Sequence, residues 1–189
     1  MSELIIYGGA FNPPTKGHLE IIKYLLNRFP NNKLVILPTN NYYKSNEIVS
    51  FKNRKEMLEI MCKDFLDKIV ISDYEQTLDR YYGTYYTLEH FNHPYFVIGA
   101  DSLESLKSWI NYPSVLVDNK FIVFPRNNFD INSYIKNDEI LSKHQNIIVC
   151  DDFKEIDVSS TNYRTMYDKT VVTEEVEKYI IENNLYKED

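Results

Sequence analysis

The chain has 189 residues, 43% of them hydrophobic, a formal net charge of −7 at pH 7 and two cysteines. That size fits a single domain over 1–189 with a substantial core, and the negative balance argues against broad nucleic-acid binding, which needs a basic face. No run approaches the ~18 apolar residues of a membrane span and no signal region opens the chain, so a cytoplasmic protein with buried free thiols at Cys62 and Cys150 is expected.

Leu4-Ile5-Ile6-Tyr7 has the length and β-branched content of a buried strand, and Gly8 and Gly9 end it. The segment from Ala10 to His18 leads into a helix over Gly17 to Phe29, where Leu19, Ile22, Leu26 and Phe29 recur at spacings of three and four. His18 falls in its first turn, where free N–H groups and the helix dipole favour an anion. The segment has neither the Gly-Lys-Ser/Thr ending of a P-loop nor the G-x-G-x-x-G spacing of a dinucleotide site.

Further strands are predicted at Leu34 to Leu37, Ile69 to Ile71, Tyr95 to Ile98, Phe121 to Phe124 and Ile147 to Val149. Helical patterns cover Phe51 to Phe65, Thr87 to Phe91, Ser102 to Trp109 and Ile131 to Ser142, and Thr173-Glu174-Glu175-Val176 opens a last helix. Apolar strands alternating with helices predict an α/β fold, a doubly wound parallel sheet that binds ligands at the carboxyl ends of its strands. The polar stretch Thr39 to Ser50 reads as a substrate loop. In an acidic protein, Lys16, Lys44, Arg54, Arg126 and Arg164 are the candidates for a positive nucleotide cleft.

Three segments carry chemistry. The first, Gly8 to His18, resembles the G-x-F-x-P-x-[HT]-x-G-H signature of the nucleotidyltransferase α/β-phosphodiesterase superfamily at Gly9, Phe11, Pro13, Thr15, Gly17 and His18, with Thr15 in the place of the first histidine. The second, Val158-Ser159-Ser160-Thr161-Asn162-Tyr163-Arg164, offers three hydroxyls at a helix start with an Arg one turn on; it is similar to the superfamily's I-S-S-T-x-x-R. The third, Gly99-Ala100-Asp101-Ser102-Leu103 with Lys107 and Trp109 downstream, joins a close-approach glycine, a carboxylate suited to ribose hydroxyls and a flat ring suited to stacking. That third segment resembles the nicotinate-nucleotide adenylyltransferase branch, in which the Trp lies against the pyridine ring. Lys44, followed by Arg54, Met57 and Leu58, and the segment Thr84-Tyr85-Tyr86-Thr87-Leu88 also match that branch, except that Gly83 replaces a tyrosine.

The resemblance implies a Rossmann-like nucleotidyltransferase fold and transfer of AMP from ATP to nicotinate mononucleotide, giving deamido-NAD and pyrophosphate. It assigns catalysis to His18, Thr15 and Lys44. ATP would be bound by Gly8, Gly9, Ala10, Phe11 and His18, by Gly99, Asp101 and Arg126, and by Ser159, Ser160, Thr161 and Arg164. Lys44, Arg54, Thr84 and Trp109 would bind the acceptor. Mg²⁺ would travel mainly on the ATP phosphates, with few dedicated protein ligands. Nicotinamide mononucleotide or phosphopantetheine as acceptor, and a non-catalytic nucleotide sensor, are the alternatives; the last would be expected to lose His18 or the Ser-Ser-Thr segment.

Some residues invite other readings. His90, His93 and His144 read as surface histidines, and Asp151, Asp152 and Asp157 as exposed loop acids rather than a metal site. The adjacent pairs Tyr42-Tyr43 and Tyr81-Tyr82 suggest an aromatic cleft or an interface, which leaves a homo-oligomer open.

Overall fold

The computed structural model describes residues 3–42, 48–156 and 158–186. Among the described residues six strands lie where apolar runs predict them: β1 Leu4–Gly9, β2 Lys33–Pro38, β3 Ile69–Ile71, β4 Tyr95–Gly99, β5 Lys120–Phe124 and β6 Ile147–Val149. They form one sheet in the order β3-β2-β1-β4-β5-β6. The ladders β2/β3, β1/β4, β4/β5 and β5/β6 are parallel, with Ile6 opposite Phe96 and Phe96 opposite Phe121. Such an order winds outward from β1 in both directions, and the carboxyl ends of β1 and β4 mark the switch point where ligands of this architecture bind.

Among the described residues the helices are α1 Lys16–Arg28, α2 Phe51–Met61, α3 Tyr74–Thr77, α4 Thr84–His90, α5 Asp101–Ser105, α6 Ser114–Val117, α7 Ile131–Asn137, α8 Ser160–Met166 and α9 Glu174–Glu182. The predicted stretches after Phe51, Ser102 and Ile131 each end in a separate 3₁₀ turn, Lys63–Phe65, Leu106–Ser108 and Leu141–Lys143. The buried face of α1 centres on Ile22 and Leu25, with Leu19, Leu26 and Phe29 half-buried beside it. In α2 the buried positions are Arg54, Met57, Leu58 and Met61, an i, i+3, i+4, i+7 stripe that places a guanidinium among methionines and a leucine.

The chain divides into two compact units, Met1–Gly8 with Tyr82–Glu155 and Gly9–Tyr81 with Ile156–Asp189. In the second unit α9 packs on α2: Tyr179 Oη donates to Glu56 Oε2 at 2.6 Å and to Asn53 Oδ1 at 3.2 Å. Cys62 and Cys150 are free, buried thiols, and burial pushes the Cys62 thiol up to about 12. Among the described residues no helix is long and apolar enough to cross a membrane.

Candidate active site

The loop between β1 and α1 is built around three small or special positions. Phe11 is 1% exposed and takes a left-handed backbone (φ 48), uncommon for a bulky residue, which turns its ring inward. The ring meets His18 at 5.0 Å between centroids and 61° between planes, and a Cβ on Gly9 would lie 3.2 Å from its tip. The glycine therefore makes room for the ring that wedges the imidazole. A Cβ on Gly17 would lie 2.9 Å from Val158 Cγ2, so that glycine lets the start of α1 approach the segment leading to α8.

His18 is oriented by Thr15, the N-cap residue of α1. The Thr15 backbone N–H donates to His18 Nδ1 at 2.9 Å, and Thr15 Oγ1 lies 2.8 Å from the same nitrogen. A backbone N–H can only donate, so Nδ1 must be the unprotonated nitrogen of the neutral ring and Nε2 must carry the hydrogen. Thr15 thus leaves His18 with its N–H donor on the far side of the ring.

The loop's carbonyls are held by side chains from distant segments. Arg54, 0% exposed, donates from Nη1 to Ala10 O at 2.7 Å, from Nη2 to Thr39 O at 2.6 Å and to Asn41 Oδ1 at 3.0 Å, and from Nε to Val49 O at 3.1 Å. Burial pulls its pKa down to about 10, so it is charged at neutral pH, and these oxygens compensate the buried cation. Arg164 Nη1 donates to Asn12 O at 2.7 Å, and Ser160 Oγ to Pro13 O at 2.7 Å. Ser159 caps α8, its Oγ accepting from Asn162 N–H at 3.1 Å, and exposed Thr161 accepts from Arg164 Nη2 at 3.4 Å. The two signature segments are thereby joined by direct hydrogen bonds.

The other unit gathers the third segment. β4 ends at Gly99, where a Cβ would lie 2.6 Å from Asp101 Oδ1 and 3.5 Å from Arg126 Cδ, so only glycine leaves space for that pair. Asp101 Oδ2 is 3.4 Å from Arg126 Nη1, and both side chains are about half exposed. Arg126 also acts on buried Tyr7, whose phenol burial raises and the guanidinium lowers. Trp109 is half-buried, edge-on to Phe96 at 6.3 Å, with Nε1–H donating to Ser105 Oγ at 3.3 Å.

Gly83 precedes α4 with φ 102, and a Cβ there would lie 2.8 Å from Ile110 Cδ1. That contact gives the departure from tyrosine a physical basis: the position before Thr84 is filled by Ile110.

The expected residues thus fall into two groups, Gly9, Ala10, Phe11, Thr15, His18, Arg54, Ser159, Ser160, Thr161 and Arg164 in one unit, Gly8, Thr84, Gly99, Asp101, Trp109 and Arg126 in the other. Lys44, Tyr43 and Asp157 lie outside the described residues. Asn12, Val49 and Tyr186 were not singled out from sequence. Asn12 Oδ1 accepts from Val49 N–H at 3.2 Å and from Tyr186 Oη at 2.8 Å, and since Asn12 occupies an unspecified position of the signature, only its burial, 2% exposed, reveals it.

Two histidines differ from their surface reading: His93 Nδ1 pairs with Asn119 Oδ1 at 2.9 Å, and half-buried His144 faces Asn119 O at 3.1 Å through Nε2. Asn119, 1% exposed, supplies the polar partners that let both rings pack against protein. Among the described residues no three His, Cys, Asp or Glu side chains cluster as a metal site.

The cytidylyltransferase-like family model matches residues 6–166. A protein of Acholeplasma laidlawii named "Probable nicotinate-nucleotide adenylyltransferase" is 34% identical over 98% of this chain and 98% of its own length, and one of the same name from Clostridium acetobutylicum is 34% identical over 98% and 100%. The solved structure of Plasmodium falciparum nicotinic acid mononucleotide adenylyltransferase complexed with NaAD shares the fold, with a TM-score of 0.80 at 22% identity over 98% of each chain. Sequence likeness over the full length, together with the loop geometry, assigns this chain to the cytidylyltransferase-like family and, within it, to the nicotinate-nucleotide adenylyltransferases.

Proposed function

We propose that the chain, acting in the cytoplasm as a single catalytic domain over 1–189, transfers AMP from ATP to nicotinate mononucleotide. An oxygen of the mononucleotide phosphate forms a bond to the α-phosphorus of ATP while the bond from that phosphorus to the β-phosphate bridging oxygen breaks, giving deamido-NAD and pyrophosphate. The attacking phosphate is already an anion, so no side-chain nucleophile is needed and the protein's work is positioning and charge stabilisation.

The observation that carries the reading is the orientation of His18. Its Nδ1 is occupied by Thr15, which assigns the proton to Nε2 and makes the neutral ring a donor beside a helix N-terminus. His18 donates to the α-phosphoryl oxygens, where charge builds in the transition state. Thr15 orients it, and the backbone at Gly8, Gly9, Ala10 and Phe11 lies along the phosphates. Ser159, Ser160, Thr161 and Arg164 serve the triphosphate, with Arg126 as a further cation for it. Lys44 takes a phosphate of either substrate. Arg54 serves the phosphates by holding the loop that meets them. Asp101 takes a ribose, close to the backbone at Gly99, and Thr84 and Trp109 recognise the nicotinate end. Mg²⁺ arrives with ATP as part of the substrate.

The test is a pyrophosphate-release assay with ATP and, in separate reactions, nicotinate mononucleotide, nicotinamide mononucleotide or phosphopantetheine. Release with nicotinate mononucleotide well above the others is expected; release with phosphopantetheine alone would overturn the assignment.

A further inference from the structure

The last described turn of the chain returns to the loop between β1 and α1. After α9, Asn184 adopts a left-handed backbone (φ 51) and Leu185 N–H donates to Ile180 O at 3.0 Å, a helix stop that reverses the chain. Tyr186, also left-handed (φ 57), is then held by three contacts. Tyr167 Oη donates to its carbonyl, its ring meets Tyr163 edge-on at 5.7 Å and 73°, and its own Oη donates to Asn12 Oδ1 at 2.8 Å. Tyr163 is fixed in turn, donating to Glu177 Oε2 at 2.5 Å. Burial raises the pKa of the Tyr186 phenol against the lowering fields of Arg164 and Arg54, so the group at Asn12 is a neutral donor.

Asn12 is where these contacts converge. Its side-chain oxygen takes Tyr186 and the Val49 N–H, and its carbonyl takes Arg164. Pro13 O, next in the chain, is held by Ser160, and Ala10 O, two residues before, by Arg54. Three residues further along, Thr15 N–H orients His18. Any rotation of the Asn12 side chain would break two bonds at once and leave this stretch of backbone held by its carbonyl contacts alone.

We propose that Tyr186 is a positioning residue of this active site: by holding Asn12 it keeps the Ala10 to Thr15 backbone in its ATP-binding form. The inference rests on the adenylyltransferase reading, since the ligand it serves is the triphosphate. Tyr186 acts through Asn12. Its hydroxyl is committed to an amide oxygen.

Tyr186→Phe keeps the ring on Tyr163 and removes only Oη. One net hydrogen bond contributes about 0.5–1.5 kcal/mol, so ATP affinity falls, by up to roughly twelvefold, as the loop populates its binding form less. Two readouts are needed. In turnover, KM for ATP rises by that factor while KM for nicotinate mononucleotide stays close to wild type and the melting temperature falls by only roughly 1–6 °C. In calorimetric titration with ATP alone, Kd rises in parallel, and adding Tyr186→Phe to Asn12→Ala produces no further loss. Unchanged ATP affinity in Tyr186→Phe, or a loss that merely follows the melting temperature, would overturn the proposal. A wild-type chain that binds ATP without turning over any acceptor would instead refute the catalytic reading, and the ATP titration would still decide the role of Tyr186.

Discussion

Replacing Thr15 by Val tests whether the hydroxyl orients His18 or touches the reacting phosphate itself. Thr15 is 1% exposed, so Val is close to isosteric and exchanges a buried hydroxyl for a buried methyl. The Oγ1 contact to Nδ1 at 2.8 Å is lost together with the helix cap that Oγ1 gives the His18 backbone N–H, while the Thr15 backbone N–H at 2.9 Å stays and still assigns the proton to Nε2. One net hydrogen bond, about 0.5–1.5 kcal/mol, then separates the oriented ring from its alternatives, and kcat should fall roughly two- to twelvefold with both KM values unchanged. His18→Ala removes the proposed transition-state donor, and loss of one such donor costs about 2.7–4 kcal/mol, roughly a hundred- to a thousandfold in kcat. Both variants are measured by pyrophosphate release at saturating ATP and nicotinate mononucleotide. A Thr15→Val loss as large as that of His18→Ala would place the hydroxyl on the reacting atoms. A His18→Ala enzyme at the wild-type rate would remove His18 from catalysis altogether.

Arg54→Lys replaces a fork that makes four hydrogen bonds with an ammonium that has three donors, leaving at least one buried oxygen unpaired. Stability in urea should fall by about 1–3 kcal/mol together with ATP affinity, whereas weaker ATP binding at unchanged stability would show Arg54 to be a direct phosphate ligand. Gly83→Ala adds a Cβ at φ 102 that would lie 2.8 Å from Ile110 Cδ1; the cost of about 1–3 kcal/mol should lower the melting temperature by roughly 2–12 °C, and an unchanged melting temperature would show that Ile110 moves aside freely. His144 has its pKa lowered from the usual 6.5 by burial, opposed by the bond to Asn119 O, so between the lowered value and 6.5 the unfolded chain binds more protons than the folded one. Stability should therefore decline as the pH drops through that window. His144→Gln should flatten the melting temperature between about pH 5 and 7; an equally steep variant would assign the slope to other groups.

The parts of this molecule that sequence exposes are those whose causes are local. Strands buried on both faces must be apolar throughout, so β1, β2, β4 and β5 were legible as short runs, while the edge strands β3, with Val70 57% exposed, and β6, half-buried, were legible by their β-branched residues. Four-residue helices such as α3 and α6 are too short to show a period, and both went unread. Reading Arg54 by its charge alone sends it to a phosphate. Its phase sends it into the core, since Met57, Leu58 and Met61 at i+3, i+4 and i+7 are all buried, and a cation there must find oxygens within the protein. That argument was available without coordinates, although the identity of the oxygens was not. They belong to Ala10, Thr39 and Val49 and to the Asn41 side chain, and the remaining supports of the same loop come from 147 residues away at Ser160, 152 at Arg164 and 174 at Tyr186. A signature records residues whose spacing is set by a single turn. What holds that turn in shape is fixed only when the ends of the chain come together, which is why His18 could be named from eleven consecutive residues and Asn12, in the same eleven, could not.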